Sequence, residues 1–189
     1  SIATYRMDAS MKQRPKDKEK KFTVRFFPEG GQLVKGISSI VAFEATSRDK
    51  GAADVEGTVV LPSGEELAHI RSLHDGMGYF QYKPEEKAGV AKIDYEGSTH
   101  QFDLPEALPQ GYVLRIDNRR EMLDITVARS SQAMKDTLAV FVSSQGRPYK
   151  CMTLDFEDEW NCQFRISTKE LPPGVQHISL VNLKGETLC

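Results

Sequence analysis

Residues 58–97 decide the fold, and they read TVVLPSGEELAHIRSLHDGMGYFQYKPEEKAGVAKIDYEG. Apolar and polar side chains alternate through four short segments, which is typical of β-strands with one buried face. The breaks between the segments fall at Gly64, at a glycine-rich corner in residues 74–78 and at a loop that contains Pro84, and the fourth segment ends at Gly97. The stretch therefore predicts four consecutive strands joined by turns.

A second stretch, residues 138–185, repeats this order of parts: LAVFVSSQGRPYKCMTLDFEDEWNCQFRISTKELPPGVQHISLVNLKG. Placing the two turns on one another brings four pairs into approximate register: Gly64 with Gly146, Phe80 with Phe164, Gly89 with Gly174, and Gly97 with Gly185. The pattern predicts one β-sandwich unit used twice.

The length of 189 residues fits two such units, because an immunoglobulin-type sandwich needs about 100 residues. Pro105 and Pro109 lack backbone donors, so regular strand pairing is expected to break between them. We predict an N-terminal strand and charged linker at 1–21, a sandwich at 22–109, and a second sandwich at 110–189. The first residue is not Met and the strand at 186–189 has no return strand, so we expect the chain to be a segment of a longer protein.

Charge and hydropathy exclude some classes of protein. Lys and Arg number 25 against 27 Asp and Glu, which does not give the basic surface expected of a nucleic-acid binder. No apolar run approaches the roughly 18 residues of a membrane-spanning helix, and residues 1–10 lack the apolar core of a signal peptide. Residues 11–21 are interpreted as a solvated connector, with a basic docking arm as the alternative.

The remaining strands are predicted from alternation and turn residues. Residues 22–28 alternate and end in a Pro-Glu-Gly-Gly turn in which Gly30 or Gly31 takes positive φ. Residues 37–46 form the next strand, with Ile40, Ala42 and Phe43 near the core. A hairpin turn is predicted at 117–120 and a single helical turn at 130–135.

The cysteines are predicted to be reduced. Alternation places Cys151 and Cys162 on opposite faces of their strands, and a turn at 157–159 would bring Cys162 near Leu154 and Cys151 near Arg165. Cys162 is interpreted as a small core residue.

No metal site is predicted. The four histidines are His69, His74, His100 and His177, and they show no paired ligand spacing. His69, His74 and Asp75 are the only seed of a possible site. The acidic cluster Asp155, Glu157, Asp158 and Glu159 is interpreted as a solvated turn, with a weak calcium site as the alternative.

Catalytic and cofactor-binding residues are also predicted to be absent. The sequence contains no GxSxG elbow, P-loop or Cys-His hydrolase pattern, and the Gly76-x-Gly78 pair lacks the third glycine of a dinucleotide fingerprint. A hydrolase with dispersed catalytic residues would give the same sequence pattern and stays an alternative.

Aromatic side chains suggest both a core and a possible surface platform. Phe80 is expected to face the core and Tyr79 to face outward, while Trp160 is expected to be buried or at the end of its sandwich. An exposed Tyr or Trp platform would suit a sugar, so a carbohydrate-binding module is the other alternative.

Three segments carry a family resemblance: FFPEGGQLVKG at 26–36, VAFEA at 41–45 and HDGMGYF at 74–80. They resemble the macroglobulin-type β-sandwich domains of the alpha-2-macroglobulin superfamily, most closely the tandem versions in large cell-envelope proteins of Bacteroidetes, some of which carry a TonB-receptor plug-like segment. GVQHISL at 174–180 and GETL at 185–188 are similar to the closing hairpin of such domains.

The resemblance implies an all-β fold and a non-catalytic role without cofactors. It implies a periplasmic or outer-membrane location, and partners that are other domains of the parent protein or envelope proteins. The thioester motif Cys-Gly-Glu-Gln of the superfamily is absent, because Met152 follows Cys151, Gln163 follows Cys162 and Cys189 is the last residue. The predicted function is therefore a structural or protein-interaction segment.

Overall fold

A computed structural model describes residues 22–131, 136–156 and 159–189. The described residues form strands and two short 3₁₀ turns, with no α-helix among them. The expectations for residues 1–21, and most of the turn expected at 130–135, lie outside these ranges. The strands are β1 (Phe22–Pro28), β2 (Leu33–Val34), β3 (Ser39–Ser47), β4 (Gly51–Ala52), β5 (Glu56–Val60), β6 (Glu66–Arg71), β7 (Met77–Tyr82), β8 (Val90–Tyr95), β9 (Ser98–Asp103), β10 (Ala107–Leu108), β11 (Tyr112–Arg119), β12 (Met122–Arg129), β13 (Leu138–Ser144), β14 (Arg147–Leu154), β15 (Asn161–Ser167) and β16 (His177–Asn182).

The first unit consists of two antiparallel sheets. In one, β3 lies between β1 and β7, and β4 extends the β7 side. In the other, the order is β6-β5-β8-β9. Phe22 and Val24 of β1 and Ile93 of β8 belong to one buried cluster, so the two sheets close face to face.

The second unit repeats this arrangement. β12 lies between β11 and β15, and β13 lies between β14 and β16. Counted in chain order within each unit, the neighbours of β12 correspond to those of β3, and the neighbours of β13 correspond to those of β5. Beyond β16, Leu188 N donates to Leu180 O at 2.8 Å and Thr187 bridges Val181, which is the position that β9 holds beside β8. The order of strands in residues 138–185 is thus the same as in residues 58–97. That the two stretches form tandem domains stays a prediction.

Each unit has its own hydrophobic core. The first core comprises Phe22, Val24, Leu33, Val41, Phe43, Ala45, Ala53, Val55, Val59, Ile70, Phe80, Tyr82, Ala91 and Ile93. The second comprises Tyr112, Leu114, Leu123, Ile125, Val127, Leu138, Val140, Val142, Leu154, Phe156, Ile166 and Leu180. The predicted fold class, all-β with immunoglobulin-like or macroglobulin-like sandwiches, is confirmed. The exact division at residue 109 stays a prediction.

The glycines at the corner of the first unit allow close packing, as predicted. Gly76 has a φ of +70°, and a Cβ atom there would lie 2.8 Å from Ala53 N. Gly78 lies against the core, where a Cβ atom would lie 2.7 Å from the Phe43 ring and closer still to the Arg71 carbonyl oxygen.

The predicted face of β3 was wrong for two residues. Val41 and Phe43 point into the core, whereas Ala42 is exposed and Ile40 is only half-buried on the opposite face. The run IVAFEA has apolar residues on both faces, so its pattern did not fix which face is buried.

Two predicted turns were also wrong. The hairpin expected at 117–120 turns at Arg120 and Glu121, because β11 extends to Arg119. No hairpin joins β14 to β15: Cys151 pairs with Phe141 of β13, and Cys162 pairs with Val127 of β12. The chain crosses between the two sheets at this point instead.

We expect Gly78→Ala to lower the free energy of unfolding by about 2–3 kcal/mol, because the new methyl group overpacks the Phe43 ring and the Arg71 carbonyl. Gly97→Ala is the control. Gly97 has a φ of +75° with nothing within 4 Å of an added Cβ, so only the cost of positive φ, about 1 kcal/mol, is expected. Urea unfolding measures both, and equal losses would contradict the packing assigned to Gly78.

Candidate functional site

The junction between the two units contains the contacts that could carry a function. A 3₁₀ turn, Glu29–Gly31, follows β1 and lies against β11 of the second unit. One Glu29 carboxylate oxygen accepts from Ile116 N at 3.4 Å, and the other lies 3.5 Å from Arg115 Nε. The Glu29 side chain of the first unit thus contacts both a backbone amide and an arginine side chain of the second unit.

The backbone of the same turn approaches β11 closely. Gly30 has a φ of +73°, and a Cβ atom there would lie 3.3 Å from Leu114 O. Gly31 also has positive φ, at +84°, but an added Cβ would have nothing within 4 Å. Positive φ at this turn was predicted and is found at both glycines.

A short parallel ribbon lies beside the junction, within the first unit. β10 pairs with β2, so that Ala107 lies beside Leu33 and Leu108 beside Val34, and Lys35 N donates to Leu108 O at 2.9 Å. Leu33 and Val34 are fully buried. Regular pairing was predicted to break between Pro105 and Pro109. Within this segment, the two residues of β10 still pair with β2.

The histidines do not converge. His69, His74 and His177 are exposed, and His74 pairs only with its neighbour Asp75, at 3.0 Å. His100 is half-buried, with its ring 5.0 Å from that of Phe22. Among the residues that the structure describes, no group of three or more His, Cys, Asp or Glu side chains is placed to hold a metal ion.

The calcium alternative for the acidic turn stays a prediction. Asp155 and Glu159 are exposed, but Glu157 and Asp158 lie outside the described residues.

A second group of carboxylates lines a shallow cavity of about 620 Å³ at one end of the first unit. This group consists of Asp54, Glu56, Asp75, Asp94 and Glu96. Four of the acids have partners. Asp75 pairs with His74, and Thr99 Oγ1 donates to Asp94 Oδ1 at 2.5 Å. Asp54 accepts from Gly76 N at 3.2 Å, and Glu96 pairs with Lys50, whose hydrogen bond lowers the Glu96 pKa. These contacts hold the glycine corner and a surface turn in place.

All three cysteines are free, as predicted for Cys151 and Cys162. Cys151 is exposed, and Cys162 is half-buried against the second core. Burial raises the pKa of the Cys189 thiol to about 11.

The aromatic residues follow the predicted faces. Phe80 is buried and Tyr79 is 60% exposed on the opposite face of β7. Trp160 is half exposed and immediately precedes β15, so it lies at the end of its sandwich rather than in the core.

Sequence reasoning missed two features. Glu29 was part of a predicted turn, but no local pattern indicates a partner 87 residues away. The outward placement of Ala42 was missed because β3 was read in the wrong phase. The outward position predicted for Tyr79 was the one signal in the sequence for an aromatic residue on the outer face of this sheet.

Solved structures resemble the chain at low similarity. No family model and no curated protein matches the chain. One solved structure, "Biofilm associated protein - BSP domain", is 17% identical with a TM-score of 0.34, over 87% of this chain and 28% of that one. A mutant of Salmonella alpha-2-macroglobulin is 10% identical with a TM-score of 0.32, over 89% of this chain and 14% of that one. The chain thus spans less than a third of either protein. The described residues include no helix long and apolar enough to cross a bilayer.

We expect Cys189 to be alkylated slowly in the folded protein. At pH 8 a pKa of about 11 leaves about 0.1% thiolate, against about 10% for a thiol at the ordinary value of 9.0, so the rate should fall about 100-fold relative to the urea-unfolded chain. Peptide mapping after timed iodoacetamide treatment measures this rate. Exposed Cys151 is the internal control and should react at similar rates in both states.

Proposed function

We propose that the chain is a non-catalytic structural segment of a larger exported cell-envelope protein, in which two β-sandwiches act as a rigid spacer and offer surfaces for docking. The resemblance of residues 26–36 and 74–80 to macroglobulin-type domains supports the envelope location. The junction supports the spacer role, and it is the single observation that carries the proposal.

A rigid spacer needs two rigid blocks and a connection that resists bending. Each block is supplied by a buried core between two sheets. The connection has two contacts of different kinds: the ion pair and hydrogen bond of Glu29, and the close approach of Gly30 to Leu114. The β2/β10 ribbon lies within the first unit and fixes the point from which the chain leaves it. Because both contacts lie on neighbouring residues of β11, a change in the angle between the units strains them together.

The junction also protects an exposed strand edge. Among the strands that the structure describes, β11 pairs with β12 on one side, and none pairs with its other edge, which would present free N–H and C=O groups. The turn at Glu29 to Gly31 covers part of that edge, and the Glu29 carboxylate accepts from the amide of Ile116. The contact therefore stabilises the second unit as well as fixing its orientation.

We expect Gly30→Ala to change the relative orientation of the two units and Gly31→Ala to leave it unchanged. Both substitutions carry the cost of positive φ, about 1 kcal/mol, but only the Gly30 methyl group is forced against Leu114 O. Residual dipolar couplings, fitted separately for residues 22–104 and 112–189, report the orientation. The native chain should fit one alignment tensor for both units. Two different tensors in the native chain would contradict the spacer proposal.

The Glu29 contact can be tested separately. Glu29→Ala should destabilise the second unit by about 0.5–1 kcal/mol, because it removes the acceptor of the Ile116 amide and the ion-pair partner of Arg115 at a site that water can reach. Glu29→Gln should lose less, since its amide oxygen can still accept that hydrogen bond. Hydrogen exchange at the Ile116 amide measures the effect. Equal protection in the native chain and in Glu29→Ala would show that the contact does not form in solution.

A further inference from the structure

The outer face of the β1-β3-β7 sheet carries a row of exposed apolar side chains. The strand register places Phe27 beside Ala42 and Ala42 beside Tyr79. Phe27 is 50% exposed, Tyr79 is 60% exposed, and Ala42 between them is also exposed. Because neighbouring strands are about 4.8 Å apart, the two aromatic residues are separated by about 10 Å across a small methyl group. The row therefore has an aromatic side chain at each end and the small side chain of Ala42 between them.

Polar side chains flank this row on both sides, together with half-buried Ile40 beside Gln81 and exposed Met77 beside Glu44. Two residues along each strand, Arg25 pairs with Glu44, and Met77 lies on the other side of Glu44. On the other side, Gln81 donates to Ser38 Oγ at 2.8 Å. Each flank thus offers hydrogen-bonding groups within about 7 Å of the aromatic row, the distance between successive residues on one face of a strand.

The size of the face favours a small ligand over a protein. Three strands are about 14 Å wide, and three rows on one face are about 20 Å long, which gives about 300 Å². A stable protein interface needs roughly 800 Å² from each partner. The face is therefore too small to hold a second copy of the chain, but it can hold a few sugar rings.

The charges of the face favour a neutral ligand. Arg25 and Glu44 neutralise one another, and the guanidinium of Arg25 lies 6.0 Å from the centre of the Phe27 ring. Gln81, Ser38 and the aromatic residues carry no charge. A pyranose presents an apolar C–H face that stacks on aromatic rings and hydroxyl groups at its rim that pair with Arg, Glu and Gln side chains.

We propose that this face, Phe27, Ala42 and Tyr79 with Arg25, Glu44 and Gln81 at its flanks, is a binding site for a neutral glycan chain. The site is separate from the junction, so a spacer built on the junction would hold the first sandwich against a polysaccharide surface. The inference does not depend on the spacer role, since binding at the sheet face requires only the first unit.

Binding is tested on the full chain by amide chemical shifts. The probes are hexasaccharides of β-1,4-linked glucose, mannose and N-acetylglucosamine, with hexagalacturonate as a charged probe of the same length. At least one neutral hexasaccharide should give saturable shifts at the amides of β3 and β7 around Ala42. The galacturonate should bind at least about tenfold more weakly than that sugar.

Variants assign the binding to the aromatic row. Tyr79→Ala should weaken the affinity at least about tenfold, and Tyr149→Ala, which removes a similarly exposed tyrosine from the second unit, should leave it unchanged.

Three outcomes would overturn the proposal. One is the absence of saturable shifts at β3 and β7 with all three neutral sugars at millimolar concentration. Another is an affinity that Tyr79→Ala does not change. The third is a concentration-dependent shift of the same amides without any sugar, which would identify a second copy of the chain as the occupant.

Discussion

The structure depends on one constraint: each strand of a sandwich must bury one face and leave the other in water. On β3 this constraint separates Val41 and Phe43, which fill the first core, from Ala42 and Glu44, which lie on the outer face. The same alternation on β12 buries Leu123, Ile125 and Val127 in the second core. A core and a surface are therefore specified together by the same short sequence.

Much of this could be predicted because alternation is local. The strands, the duplicated order of elements and the outward position of Tyr79 follow from neighbouring residues in the chain. The phase of β3 could not be predicted, since Ile40, Val41, Ala42 and Phe43 give both faces apolar character. The predicted hairpin between β14 and β15 was wrong for a different reason. Alternation shows that a segment is a strand, but it does not show which of the two sheets the strand joins.

The junction could not be predicted because its contacts join residues far apart in the chain. Glu29 looks like an ordinary turn residue, and the turn chemistry of its two glycines is complete without any partner. Its significance comes from the edge of β11 that no described strand covers, where the Ile116 amide donates to the Glu29 carboxylate. Edge protection thus links two units that each have an independent core.

β1 serves the core, the surface and the junction together. Phe22 and Val24 fill the first core, Phe27 lies in the outer aromatic row, and Pro28 leads directly into the turn that contacts β11. A change at Phe27 would therefore alter both the proposed glycan face and the residues next to Glu29, and its effects could not be assigned to one of them. Tyr79 lies on β7, two strands away from that turn, so its side chain reports on the sheet face alone.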